Sequence, residues 1–146
     1  AYTIAPTLTF DKASLNKTTQ AGQSDVVDAS ITFNVSNNSS DIVYVKKDDN
    51  TKVVSDTNVT PDAEGYTYTS TAELNGAGTY YMIRPKEIKS FTVFGHLTGG
   101  DNFIYMFLKK FTWNIAASAV GEVPLDSTTY DLSNFKTDSI WIETLP

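Results

Sequence analysis

The stretch Ala29-Ser30-Ile31-Thr32-Phe33-Asn34-Val35 decides the fold class of this chain. Apolar and polar residues alternate along it, which is the pattern of a β-strand with one face in a core and the other in water. The polar cluster Asn37-Asn38-Ser39-Ser40-Asp41 follows and predicts a turn. Residues 42–45 then predict a second, more fully buried strand. This region is therefore predicted to form two strands of a sheet.

Further strands are predicted along the rest of the chain, and no stretch has the pattern of an amphipathic helix of ten residues. Asn75-Gly76-Ala77-Gly78 predicts a hairpin turn, and residues 55–65 and 116–126 predict loops. Besides the opening pair, strands are predicted at residues 1–10, 66–74, 79–83, 88–97, 103–115 and 139–145, and residues 52–54 and 130–132 are shorter, weaker strand candidates. Seven to nine strands separated by turns favour a single antiparallel β-sandwich spanning residues 1–146.

Composition excludes several kinds of partner. The net charge is −6, with 17 acidic residues against 11 basic ones, so the clustered cations that bind nucleic acid or anionic membranes are not expected. No apolar run reaches the length of a membrane span. The 20 Thr, 13 Ser and 10 Asn residues favour sheets and turns. We therefore predict an all-β protein that neither binds nucleic acid nor inserts into a membrane.

Cysteine is absent, which excludes disulfides, thiolate metal sites and a cysteine nucleophile. The chain begins at Ala1 without methionine. We interpret this start as the end left after removal of a leader, although a trimmed chain would look identical.

Two segments resemble prokaryotic immunoglobulin-like domains of surface proteins. Residues 29–37 followed by residues 42–45 are similar to the second and third strands of those domains. Arg84-Pro85-Lys86-Glu87, which leads into Phe91-Thr92-Val93, resembles their Pro-Gly-Glu turn, with Lys86 in the place of the usual glycine. The resemblance implies an immunoglobulin-like sandwich and an extracellular setting, and it brings no catalytic residue.

Catalytic chemistry finds little support in the sequence. His96 is the single histidine, and no Gly-x-Ser-x-Gly motif accompanies it, so a Ser-His-Asp site is disfavoured. The five glutamates are scattered singly, and nothing pairs two of them across a cleft for glycoside hydrolysis. We predict a protein that is not an enzyme and uses no cofactor.

Acidic turns are the weak candidates for a metal site. Asp48 and Asp49 lie in one turn and Asp101 in another, and they supply the oxygen ligands that calcium takes. Neither turn has the twelve-residue calcium-loop pattern, so plain turns are the stronger interpretation. Asp126, Asp131 and Asp138 belong to the same class.

Two features of the sequence concern sugars. Tyr80, Tyr81 and Trp141 are the better candidates for an aromatic platform that binds glycans, although core packing is the stronger interpretation of most aromatics here. Asn-x-Ser/Thr sequons occur five times. Asn34 lies in a predicted strand, whereas the candidates for glycosylation lie in predicted loops: Asn16, Asn37, Asn38 and Asn58.

Three functions of different classes remain. The favoured one is a structural subunit of an extracellular assembly, such as a pilus-like filament or a surface layer, whose partner is a further copy of the chain. The edge-type segment 1–10 carries an apolar side, and it either donates a strand to a neighbour or forms the first strand of its own domain. That side comprises Tyr2, Ile4, Leu8 and Phe10. The alternatives are a glycan- or calcium-binding adhesin module and, last, an enzyme.

Overall fold

The computed structural model describes residues 4–19, 21–47, 53–56, 61–98, 101–115 and 130–143. These residues contain no helix, and their strands pair antiparallel throughout. The predicted all-β class is confirmed. The strands are β1 (Thr7–Thr18), β2 (Val26–Ser36), β3 (Val43–Lys46), β4 (Val53–Asp56), β5 (Pro61–Ser70), β6 (Glu73–Leu74), β7 (Tyr80–Ile83), β8 (Ile88–Leu97), β9 (Asn102–Ile104), β10 (Phe107–Phe111) and β11 (Ile140–Ile142).

The first sheet contains the longest strands, in the order β1-β2-β8-β5. Phe33 of β2 lies opposite Phe10 of β1 and Phe91 of β8. Because the pleat points alternate residues to opposite faces, this register brings the apolar residues of all three strands to one side.

The second layer is built from shorter pieces: β3-β7-β6, β10-β4 and β11-β9. Two isolated bridges connect them, between Tyr44 and Asn114 and between Phe107 and Lys136. Residues 102–115 thus run through the middle of this layer, where they pair with β4, with Tyr44 of β3 and with residues 136–142. β7 and then β6 continue the layer beyond β3. The pieces amount to one interrupted sheet facing the first.

Both layers contribute to one core, as a β-sandwich requires. Phe33 is completely buried at its centre, stacked on Phe91 at 5.8 Å and packed edge-on against Phe111 at 5.8 Å. Val43, Ile83 and further apolar side chains of the second layer complete the cluster. Truncating an aromatic at such a centre costs about 3–5 kcal/mol, so these contacts account for much of the stability.

In two strands the set of alternate residues that faces the core changes part-way along. A shift in the strand register at each of these points keeps the apolar residues pointing inward. The β1–β2 register shifts between Phe10 and Lys12, and the β10–β4 register shifts between Leu108 and Lys110. In β1 the partly buried residues have even numbers before the shift and odd numbers after it, and in β10 the fully buried residues change from Leu108 before the shift to Phe111 after it. An extra residue at a β-bulge produces this change of face.

Several predicted boundaries were wrong. β1 extends to Thr18, so Asn16 lies on a strand and not in a loop. Residues 61–65 belong to β5, although their proline, acids and glycine predict a loop. Residues 130–132 form no strand, and the long predicted strands at 66–74 and 103–115 are each divided in two. These breaks raise the count to eleven strands among the described residues.

Candidate interaction surface

The outer face of the first sheet is polar, as the alternating pattern predicts. Thr32 and Thr92 join their hydroxyls across β2 and β8 at 3.0 Å, and Ser14 and Ser30 do so across β1 and β2 at 2.7 Å. Phe94 and Ile88 of β8 are apolar exceptions on this face, with 44% and 65% of their surfaces exposed. Side-chain hydrogen bonds thus join neighbouring strands on this surface.

The outer face of the second sheet is aromatic instead. Ile104, Met106 and Leu108 point into the core and are at most 1% exposed. The alternate residues Phe103, Tyr105 and Phe107 therefore point outward, and Trp141 of β11 lies directly across from Phe103. We call Phe103, Tyr105, Phe107 and Trp141 the aromatic row.

The rings of the aromatic row form two touching pairs, and three of the four are exposed. Phe103 and Trp141 meet edge to face, with ring centroids 5.1 Å apart, and Tyr105 and Phe107 meet at 5.9 Å. Phe103 is 59% exposed, and Tyr105 and Trp141 are 38% and 39% exposed. Contiguous exposed apolar groups of this kind are characteristic of interaction sites.

The signal for this surface was present in the sequence. Residues 103–108 are apolar at every position, so one face of the strand must place large apolar side chains away from its own core. The sequence does not reveal which parity faces water, because that depends on the bulge between Leu108 and Lys110.

A shallow groove of about 310 Å³ adjoins the aromatic row. It is lined by Tyr105, Lys136, Thr137, Asp138 and Ser139. Thr137 is 5% exposed, and its hydroxyl accepts a hydrogen bond from the amide of Met106 (2.9 Å) and donates one to the carbonyl of Asp138 (2.8 Å). These bonds hold the floor of the groove against the strand that carries the row.

Two opposite charges stand at the edge of this groove. Lys136 and Asp138 flank the inward-pointing Thr137 and are both exposed. Neither side chain has a hydrogen bond or ion pair with the part of the chain that the structure describes. The surface thus combines exposed rings with one cation and one anion available to a partner.

The N-terminal apolar residues lie largely within their own domain. Leu8 and Phe10 belong to β1, which pairs with β2 of the same chain, and the ring of Phe10 packs edge-on against Phe135 at 5.8 Å. Ile4 is 49% exposed, and Tyr2 lies outside the described residues. The described part of the segment thus contributes residues 7–10 to a strand of this chain's own sheet.

The predicted sugar platform is not assembled as a unit. Tyr80 and Tyr81 are buried, at 2% and 6% exposure, and pack against Tyr44 and Phe91 respectively. Buried rings cannot stack on a sugar. Trp141 is exposed, but the ring beside it on the surface is Phe103.

The sequons differ sharply in accessibility. Asn37 is 1% exposed, and its Nδ2 donates to the carbonyls of Asp41 (2.7 Å) and Ile83 (2.8 Å). A glycan on this nitrogen would displace both bonds, so Asn37 is a structural residue in the folded chain. Asn16 and Asn38 are exposed, although Asn38 Nδ2 donates to Thr7 Oγ1 (2.9 Å). Asn58 lies outside the described residues.

The calcium candidates fall only partly within the described residues. Asp48 and Asp49 lie outside the described residues, and Asp101 is exposed with a backbone φ of 57°. Asp131 accepts hydrogen bonds from the hydroxyl and the amide of Ser133, which lower the pKa of its carboxyl. Within the described ranges, no three His, Asp or Glu side chains are grouped to hold a metal ion.

His96 lies on the open outer face of the first sheet, where its Nδ1 is 2.6 Å from Asp28 Oδ1. Their side chains are 45% and 64% exposed. A His–Asp pair of this type occurs in hydrolases, but there it operates in a site that excludes water. The pair on this face is open to water.

No family model, curated protein or solved structure matches this chain. Its interpretation therefore depends on its own residues. In the described ranges there is also no helix that could cross a membrane.

Proposed function

We propose that this chain is a non-enzymatic, immunoglobulin-like structural subunit of an extracellular surface assembly, such as a filament or a surface layer. The observation that carries the proposal is the aromatic row. An exposed set of rings on a folded sheet is costly to keep in water unless another molecule covers it. The row supplies one contact between the subunit and its neighbours.

The strand order supports the immunoglobulin-like part of the proposal. The first sheet, β1-β2-β8-β5, corresponds to the A-B-E-D order of immunoglobulin domains. In the other layer β3, β10 and β11 take the places of strands C, F and G. The chain departs from that pattern at β7, which pairs with β3 but follows β5 in sequence.

The 84–87 turn gives a second point of support. Pro85 and Lys86 occupy its central positions, Lys86 has a φ of 71°, and the amide of Glu87 donates to the carbonyl of Arg84 (3.0 Å). This is the geometry of a type II turn, in which glycine is favoured at the third position. Lys86 thus adopts the conformation that the Pro-Gly-Glu turn of the resembling domains requires.

Self-association of the purified chain tests the proposal. We expect sedimentation and electron microscopy to reveal oligomers, and Phe103→Ser to weaken association by about tenfold or more, because central aromatics dominate contact energies. Phe94→Ser is the matched control, since Phe94 is similarly exposed on the opposite face, and it should associate like the parent. A parent chain that stays monomeric up to about 1 mM would overturn the proposal.

Glycan binding is a second candidate, favoured by the groove beside Tyr105. Rings that can stack on a sugar and polar groups that can bond its hydroxyls lie next to each other there. A glycan array followed by titration of Tyr105→Ala would detect this activity. Binding that survives the Tyr105→Ala substitution would exclude the groove as the site.

A further inference from the structure

We infer that two copies of the chain pack through their aromatic rows about a twofold axis, with Lys136 of each copy against Asp138 of the other. This inference rests on the proposed function and specifies its partner and geometry. The occupant of the surface is thus a second copy of this chain.

The charges on this surface suit a contact between two identical copies. A twofold contact uses the same patch on both molecules, so residue i of one copy meets residue j of the other and j meets i. A patch with charge of one sign repels its own copy, whereas a patch with both signs side by side can complement itself. Lys136 and Asp138 provide that combination two residues apart on the same face.

The side chains of Lys136 and Asp138 are both available to a partner. Lys136 and Asp138 have no ion pair with the described part of their own chain, so pairing with a partner breaks no existing bond. The buried Thr137 holds the backbone between them through its bonds to Met106 and Asp138. Both charges are therefore presented from an anchored segment.

The rings of the aromatic row lie beside these two charges. Tyr105 lines the same groove as Lys136 and Asp138, and Phe103 and Trp141 continue the surface along β9 and β11. An antiparallel approach about an axis that crosses the strands near Thr137 would place the two charge pairs at the centre. Tyr105 of each copy would then lie over Phe107 of the other, because these two residues flank Met106, whose amide is bonded to Thr137. Phe103 and Trp141 lie further along the strands and would extend the contact at each end. The charges would set the register, and ring burial would supply most of the affinity.

A charge exchange tests the geometry in the full chain. Lys136→Glu should weaken association about tenfold, because the central contact then contains only acids, and Asp138→Lys should do the same with bases. The double variant K136E/D138K should restore association to within about threefold of the parent, since every pair reforms with reversed sign. Lys12→Glu changes the net charge equally on exposed β1 and should leave association unchanged.

The outcomes separate the inference from the function on which it rests. Loss in both single variants with recovery in the double variant supports twofold pairing. If Phe103→Ser weakens association while the charge variants do not, the geometry is overturned and the assembly role stands. If the parent never associates, or if its row binds glycans as a monomer, both are overturned. Thermal melting of each variant verifies that the monomer still folds.

Discussion

The amide of Lys86 donates a hydrogen bond to the carbonyl of Asn37 at 2.9 Å, and the amide of Asn37 donates to the carbonyl of Glu87 at 2.9 Å. This reciprocal pair connects the end of β2 to the turn before β8. The two segments that resemble immunoglobulin-like domains are therefore in direct contact, although they are far apart in sequence. Because these bonds join the two segments, we expect the stability of the fold to be sensitive to changes at Asn37 and Lys86.

Replacing Lys86 with glycine should stabilise the protein. Lys86 has a φ of 71°, and a left-handed conformation costs a residue with a side chain about 1–2 kcal/mol. Part of this gain is offset by the greater freedom of glycine in the unfolded chain, so we expect a net increase of about 0.5–1 kcal/mol in the free energy of unfolding. Urea denaturation measures it.

Lys86→Ala is the control for that experiment. Alanine retains the steric penalty and removes the weak bond from Lys86 Nζ to the carbonyl of Asn38 (3.4 Å). It should therefore give no gain. Equal stabilisation by glycine and alanine would show that the backbone conformation is not the cause.

Replacing Asn37 with aspartate should be strongly destabilising. The amide group of Asn37 donates to two carbonyls and accepts from the amide and hydroxyl of Ser39, at 2.9 and 2.8 Å. A carboxylate of the same shape cannot donate and would face both carbonyls in a buried site. Losing two buried bonds and adding an unpaired charge predicts a cost of about 3–5 kcal/mol, measurable by urea denaturation.

Asn38→Asp introduces the same chemical change one residue further on, where the side chain is exposed. It should cost less than about 1 kcal/mol, because water solvates the new carboxylate. Similar losses in the two variants would contradict the structural role assigned to Asn37.

The contrast between Asn37 and Asn38 marks the limit of what the sequence can predict. Alternation in residues 29–35 and the Gly-containing turns were enough for an all-β fold, because side-chain period and turn chemistry are local. Whether an asparagine in a polar cluster points outward depends on the distant carbonyl of Ile83. The aromatic row likewise depends on which parity of residues 103–108 meets the core, and partners in the other strands determine that.

Replacing Trp113 with phenylalanine should cost less than its burial suggests. Trp113 is 2% exposed, and its Nε1 has no hydrogen-bond partner in the described part of the chain. Removing an unpaired buried donor offsets part of the loss of packing. We expect a decrease of less than about 1.5 kcal/mol, against about 3–5 kcal/mol for Phe33→Ala. A loss for Trp113→Phe as large as that for Phe33→Ala would indicate that the indole nitrogen is bonded.

The Glu73–Arg84 pair predicts a specific response to pH. The hydrogen bond from Arg84 Nη1 to Glu73 Oε2 (2.6 Å), and then the guanidinium charge, hold the pKa of this carboxyl below its ordinary value. A lowered pKa in the folded state means that the pair contributes stability at pH values above the pKa of the unfolded chain. That contribution is lost as the pH falls through the folded pKa.

Carboxyl NMR titration should reveal this lowered pKa directly, and Arg84→Gln should raise it towards the ordinary range. High salt should shift it the same way but less, because both side chains are well exposed and the charge attraction is screened while the hydrogen bond persists. Asp131, whose pKa is lowered by hydrogen bonds from Ser133 and not by a cation, is the internal reference, and its titration should not respond to Arg84→Gln. If the Glu73 titration is also unchanged in Arg84→Gln, the pair does not form in solution.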